Sequence, residues 1–312
     1  MQQSAEKVVV FGGAGFIGSH LVDRLLADGR AEIVVFDNLS RGRLANLADH
    51  RAKRRLQVIE GDIRDAEAVA AALRGAGTAF HLAAQADIPD AMDDVEYAFT
   101  TNVVGTFNVL RAAAHQATAR MIFASSHEVY GEPIGLPVDE AHPLLPVSTS
   151  GASKLVGEVY CRAFRRMFGL RSTVLRLGAI YGPRDSGPLI PIWLEQARAG
   201  RDLHVYGSKR VTDFIWVGHA VEALVRAARL DGPLPPINVG SGTGTRIVDV
   251  ARRIARLAGS QGQLRLLPAC AAEIMRFVAN VDRMRQLLGI EPPLDPLAHL
   301  PTLLARPVSA AS

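Results

Sequence analysis

FGGAGFIGSH, Phe11 to His20, follows a short apolar run, Lys7–Phe11, and opens an apolar segment of helical length, Ile17–Asp28. Gly12, Gly15 and Gly18 recur at three-residue intervals. That spacing lets a strand turn tightly into a helix and lets the backbone come close to a ligand. The start of such a helix presents unpaired N–H groups and a partial positive charge, which suit a pyrophosphate. Asp37 ends the next apolar run 25 positions after Gly12. A carboxylate there accepts both hydroxyls of an adenosine ribose and repels a 2′-phosphate. The expected cofactor is therefore NAD rather than NADP, a preference softened by Arg41 and Arg43 close behind.

The same alternation continues along the chain. Lys7–Phe11, Ile33–Asp37, Gln57–Glu60, Thr78–Leu82, Arg120–Ala124 and Ser172–Leu177 are short and rich in Val, Ile, Leu or Phe, as strands buried on both faces are. Between them Ile17–Asp28, Ala66–Arg74, Asn102–His115 and Ser153–Phe168 carry apolar residues at helical spacing. The pattern predicts an α/β protein with a Rossmann-type doubly wound parallel sheet. Proline and glycine crowd the chain after residue 178. We expect a first domain over residues 1–178, a return segment near 213–240, and a smaller, partly interleaved lobe over 179–312. The tail after Pro292 reads as loosely structured.

With 312 residues, 48% hydrophobic and 21% charged, the chain can bury a large core. No run reaches the roughly 18 apolar residues of a membrane span, and the amino terminus lacks the pattern of a signal peptide, so the cytoplasm is the expected location. The net charge of +4 comes mostly from scattered arginines. The densest run, Arg51 to Arg55, has no aromatic platform beside it and reads as a solvated surface rather than a nucleic-acid footprint. Cys161 and Cys270 stand far apart and are expected to be free thiols, with no metal site.

FGGAGFIGSH, FDNLSRG, GDIRD, HLAAQADIP, NVVGTFNVL, SSHEVYGE, GASK, YGPR and INVGSG follow one another in the order seen in the extended short-chain dehydrogenase/reductase family. The chain resembles that family's nucleotide-sugar epimerases, dehydratases and decarboxylases from about Lys7 to Gly289. The resemblance implies NAD contacts from Gly12, Gly15, Phe16, Ile17, Gly18, Asp37, Asn38 and Ser40. It places Asp62 and Ile63 at the adenine, Leu82, Ala83 and Ala84 along the ribose and pyrophosphate, and Asn102 on the helix that backs the cofactor. It also implies a homodimer, built on Asn102–His115 and Ser153–Phe168; Val156, Tyr160 and Phe164 recur at helical spacing and could supply that face, and core packing explains them equally well.

In this family a Ser or Thr binds the substrate hydroxyl, a Tyr takes its proton, and a Lys lowers the tyrosine pKa. Hydride can leave an alcohol carbon only as the hydroxyl proton departs. Ser126 matches the hydroxyl residue and Lys154 the lysine, which would also hold the nicotinamide ribose. The tyrosine position is Ser150, whose hydroxyl is far less acidic and whose side chain is shorter. Three explanations stay open: a water bridging Ser150 to the substrate, another base, or loss of redox chemistry. Glu128 aligns with a glutamate that serves acid/base chemistry in related dehydratases and decarboxylases, and His127 beside it could titrate near neutrality.

The substrate side departs from the family as well. Ala179 replaces its usual asparagine, Thr212 one arginine expected at the diphosphate, and Ala269 or Cys270 the second. Arg176, Arg184, Lys209, Arg210 or Arg276 could shift into that role. The expected function is an NAD-dependent epimerase or dehydratase acting on a nucleotide sugar. The alternatives are a sugar-nucleotide decarboxylase or an enzyme of a non-nucleotide substrate using Glu128 and His127, and an NAD-binding protein without turnover.

Overall fold

A computed structural model describes residues 6–29, 31–50, 53–85, 94–232, 234–269 and 273–305. Six strands alternate with helices through the first part of the chain: β1 (Glu6–Phe11), β2 (Ala31–Asp37), β3 (Leu56–Glu60), β4 (Ala76–His81), β5 (Arg120–Ser126) and β6 (Ser172–Leu177). They are followed by β7 (Ala179–Tyr181), β8 (Leu203–Tyr206), β9 (Val211–Trp216), β10 (Ile237–Val239), β11 (Gly244–Arg246) and β12 (Leu264–Leu267). The large sheet has the order β10-β6-β5-β4-β1-β2-β3, and every neighbouring pair in it is parallel. The direction of winding reverses between β1 and β4, and a doubly wound sheet opens its ligand crevice outside the strand ends at that reversal.

Period-two alternation explains how the sheet holds its helices. Val8, Val10, Ile33, Val35, Phe80 and Ile122 pack on one face, with Leu21, Val22, Val221 and Leu224 from Phe16–Asp28 and Val217–Arg229. Val9, Phe11, Val34, Phe36, Ala79 and Phe123 pack on the other, with Val69, Val109, Leu110 and Cys161. Val217–Arg229 returns to the large sheet's layer and leads into β10, which pairs with β6. A second cluster of strands joins β11, β9 and β7, and β12 pairs with β8. Its core is Tyr181, Trp193, Phe214, Ile247 and Ile254.

Two readings of the sequence change here, at Leu300–Leu304 and at Asn102, and an open one, at Phe164, is decided. Leu300–Leu304 after the proline-rich stretch is helical, because Leu297, Leu300 and Leu303 are buried against the smaller core. Phe164 turns inward to Phe107, their rings 5.8 Å apart, while Val156 and Tyr160 stay exposed. The expected helix from Asn102 begins as a π-helical turn, Thr100–Gly105, before Thr106–His115. Cys161 is a free thiol that burial pushes up to about 12; Cys270 and the Ala86–Pro89 end of HLAAQADIP lie outside the described residues. Lys53, Arg54 and Arg55 are exposed. Among the described residues no helix is long and apolar enough to cross a membrane.

Candidate active site

The crevice is a cleft of about 450 Å³ running from the turn after β1, past the ends of β2 and β4, to the ends of β5 and β6. Its floor is backbone brought unusually close. Gly12 has φ +79°, and a Cβ there would lie 2.7 Å from the amide nitrogen of Ala83. A Cβ on Gly18 would lie 2.0 Å from the Gly12 carbonyl oxygen, so the turn and the helix it opens can touch only through glycine. Gly15 caps Phe16–Asp28 without any side-chain hydrogen bond, leaving the first N–H groups of the helix free for an anion. Phe16, Ile17 and Ala84 line the same wall.

Asp37 ends β2 inside the cleft and is 7% exposed. The Ala14 amide donates to its Oδ2 and the Leu39 amide to its Oδ1, both at 2.9 Å, which orients the carboxylate across the turn. Burial pushes this carboxyl up, against the pull of those backbone donors. Asn38 and Ser40 line the rim, and the Ser40 hydroxyl donates to Asn38 Oδ1 at 2.8 Å. Ile63, Leu82 and Ala83 line the cleft, whereas Asp62 lies just outside, paired with Arg64 and accepting from Asn38. Asn102 is not in the wall either. Its amide instead exchanges two hydrogen bonds with the Gln85 backbone, at 2.8 and 2.9 Å, and so holds a residue that is. A close-approach glycine turn, an uncapped helix start and an oriented carboxylate are the fittings a dinucleotide needs, and the residues present supply them.

At the other end Ser126, His127, Glu128 and Lys154 all face the cleft. Ser126 Oγ accepts the Glu128 amide at 3.1 Å, and the hydroxyl keeps its own proton to donate. Glu128 accepts Ser148 Oγ at 3.0 Å. Lys154 Nζ donates to the Ala124 carbonyl at 2.8 Å; burial brings this amine down to about 8, with Glu128 pulling the other way. His127 lies 4.7 Å from the Phe277 ring centroid with Nδ1 3.2 Å from the Leu177 carbonyl, an acceptor only, so Nδ1 carries the proton and Nε2 the lone pair. Burial lowers its titration below the ordinary histidine range, away from the near-neutral behaviour expected of the sequence.

Ser150 sits one helical turn before Lys154 but does not reach the cleft. It is 4% exposed, and its carbonyl accepts Ser153 Oγ at 2.8 Å. The Tyr130 hydroxyl points away from the cleft lining: it donates to Asn238 at 2.6 Å, and burial pushes it up to about 12.

Several lining residues were not singled out in the sequence. Tyr97 enters from the helix Val95–Phe99, Thr101 from the π-helical turn, Ser125 from β5, Phe214 through the packing of β9 against β7, and Gln85 and the stretch Asp185–Ile190 line the cleft as well. Of the cations offered as anion contacts, Arg176 is buried against Glu158, Arg184 pairs with Asp23, Arg210 with Glu273, and Arg276 with Glu132. Lys209 is exposed.

Residues 8–240 match the sequence model of the "NAD dependent epimerase/dehydratase family". A UDP-glucose 4-epimerase of Mycolicibacterium smegmatis is 33% identical over 92% of this chain and 93% of its own length. A UDP-glucuronic acid decarboxylase 1 of Xenopus tropicalis is 31% identical over 93% of this chain and 69% of its own length. The crystal structure of a dTDP-glucose 4,6-dehydratase from Streptomyces venezuelae, solved with NAD bound, superimposes with a TM-score of 0.91 at 28% identity, covering 96% of each chain.

Proposed function

The chain belongs to the NAD dependent epimerase/dehydratase family, and on that premise we propose that it acts on a nucleotide sugar by transient oxidation of a sugar hydroxyl, followed by inversion or elimination and return of the hydride. The observation that carries this reading is one continuous cleft joining the glycine turn and Asp37 to Ser126, Glu128 and Lys154. Gly12, Gly18 and the open helix start would hold the pyrophosphate of NAD, Asp37 its adenosine ribose and Lys154 its nicotinamide ribose. NAD, when bound, supplies a reversible hydride acceptor. Ser126 donates its hydroxyl proton toward the sugar oxygen. Glu128 takes the carbinol proton in place of the absent phenol, and the Lys154 ammonium stabilises the negative charge that develops on that oxygen. Neutral His127 offers Nε2 as a second acceptor.

Glu128 in the cleft beside Ser126 also favours a second reading, decarboxylation of an oxidised sugar acid, the reaction named for the Xenopus relative. We further propose a cytoplasmic homodimer. The dimer's support is the exposed apolar face of Val95, Phe99 and Val104 on elements that pack beside Thr149–Phe168, with its exposed Val156, Val159 and Tyr160.

The reading is tested by releasing the cofactor on denaturation and assaying it as NAD or NADH, then incubating the protein with UDP-, GDP- and dTDP-sugars. A transient rise at 340 nm, or a product isomeric with or lighter than its substrate, supports it. Bound NAD with an inert panel overturns the nucleotide-sugar assignment and leaves a non-nucleotide substrate or a protein without turnover.

A further inference from the structure

Behind the cleft lies a buried charge cluster that the proposed reaction does not use. Arg176 on β6 and Glu158 on Thr149–Phe168 form a forked ion pair, with Nη2 to Oε2 at 2.7 Å and Nε to the two carboxylate oxygens at 3.0 and 3.2 Å. Their side chains are 4% and 7% exposed. Arg176 Nη1 donates to the Tyr130 hydroxyl at 2.9 Å and to the Glu140 carbonyl at 3.1 Å. Glu158 Oε1 also accepts Ser125 Oγ at 2.5 Å. Apolar side chains of similar shape often replace a buried ion pair without loss of stability, so stability alone does not account for this one.

Its connections lead to the active site. Lys154 and Glu158 are one turn apart on the same helix face. Lys154 holds the Ala124 carbonyl and Glu158 holds the Ser125 hydroxyl, so the helix is pinned to the end of β5 at two consecutive residues, immediately before Ser126. We propose that Glu158, itself held by Arg176, is a positioning residue that locks the end of β5 to this helix and cancels the Arg176 charge behind Lys154. The proposal rests on reading the cleft as an active site.

Charged and titratable groups surround Lys154 on several elements, and burial and Glu128 set its present titration. Glu128 follows β5 and favours the charged amine, and His81 on β4 is held neutral by burial and by the Lys154 charge. Glu158 lies on the same helix, and Arg176 on β6 beyond it. Removing the Glu158 charge leaves Arg176 uncancelled, which disfavours a second cation nearby.

The test reads Lys154 directly, by competitive acetylation with acetic anhydride across pH and mass spectrometry of the full-length protein. In Glu158→Gln the Lys154 midpoint falls by about one pH unit, the shift a unit charge produces at roughly 10 Å with an effective dielectric of about 20. In Glu158→Gln/Arg176→Met, where both charges are gone, it returns to the parent value. A folded Glu158→Gln protein with an unshifted midpoint overturns the proposal. Ser125→Ala leaves the ion pair intact and covers the case in which Glu158→Gln does not fold. Loosening the tie speeds Lys154 acetylation at pH 10 by about threefold or more and lowers kcat about tenfold with KM little changed. Unchanged acetylation in that variant overturns the proposal as well. Neither acetylation measurement needs turnover, so an inert parent protein would count against the proposed reaction and not against this assignment.

Discussion

Replacing Gly18 by alanine tests the cofactor cradle at its tightest point. The added Cβ would meet the Gly12 carbonyl oxygen at 2.0 Å and Gly13 Cα at 2.8 Å, both backbone atoms of the turn that carries the site. Neither can rotate away. The gap from 2.0 Å must open to at least 3.0 Å, so the turn and the helix start separate by about the width that distinguishes a good hydrogen bond from none. Overpacking of this kind costs about 1–3 kcal/mol of folding stability. Losing two hydrogen bonds to a charged phosphate costs about 1.5–3 kcal/mol each, so NAD affinity should fall by two orders of magnitude or more. The assay is calorimetric titration of NAD into cofactor-stripped protein, with circular dichroism confirming the fold. Gly135→Ala is the control, because a Cβ there meets nothing within 4 Å. A folded Gly18→Ala variant that binds NAD within threefold of the parent would refute the cradle argument.

Three further outcomes follow from other parts of the structure. Glu128→Gln should lower kcat by about 10²–10⁴ if the carboxylate is the working base, whereas Ser150→Tyr should leave turnover nearly unchanged. A large gain in Ser150→Tyr with a mild effect at Glu128 would assign the proton transfer to the missing phenol instead. His81 is buried with Nε2 at 2.8 Å from Thr106 Oγ1, and burial, with the Lys154 charge, lowers its pKa to about 3. The unfolded chain takes up that proton near the ordinary value of about 6.5 and the folded one does not, so stability is intact above that pH and falls by roughly 1.4 kcal/mol per pH unit on acidification. Urea melts between pH 6.5 and 4 should show a shallower loss in His81→Gln, and equal slopes would contradict the assignment. Val159 is 45% exposed on the proposed dimer face. Val159→Asp should sediment as a monomer where the parent is a dimer, and an unchanged sedimentation coefficient would exclude that face.

Much of the cofactor end was legible from local signals. The glycine triplet, the strand-end carboxylate of Asp37 and the alternating apolar runs act over a few residues, and backbone sterics and burial translate them directly into turn, carboxylate position and sheet face. The substrate end was less legible. Ser126, His127, Glu128 and Lys154 were recognisable as types, and the structure brings all four to one wall. Their ionisation was not, since it depends on burial that only packing creates, as the lowered values of Lys154 and His127 show.

The chain's local chemistry thus determined the parallel sheet and the dinucleotide turn, and the sequence itself shows a serine four residues before Lys154. Tertiary structure alone decided which charges were free to act. Arg176, a candidate for an anion by type, is committed to Glu158 across 18 residues, and Tyr130 reaches Asn238 across 108. No periodic pattern encodes such pairings, because a buried ion or hydroxyl takes whichever partner the folded interior places within hydrogen-bond reach. Ser150 stays out of the cleft lining while Lys154, one turn further along, enters it.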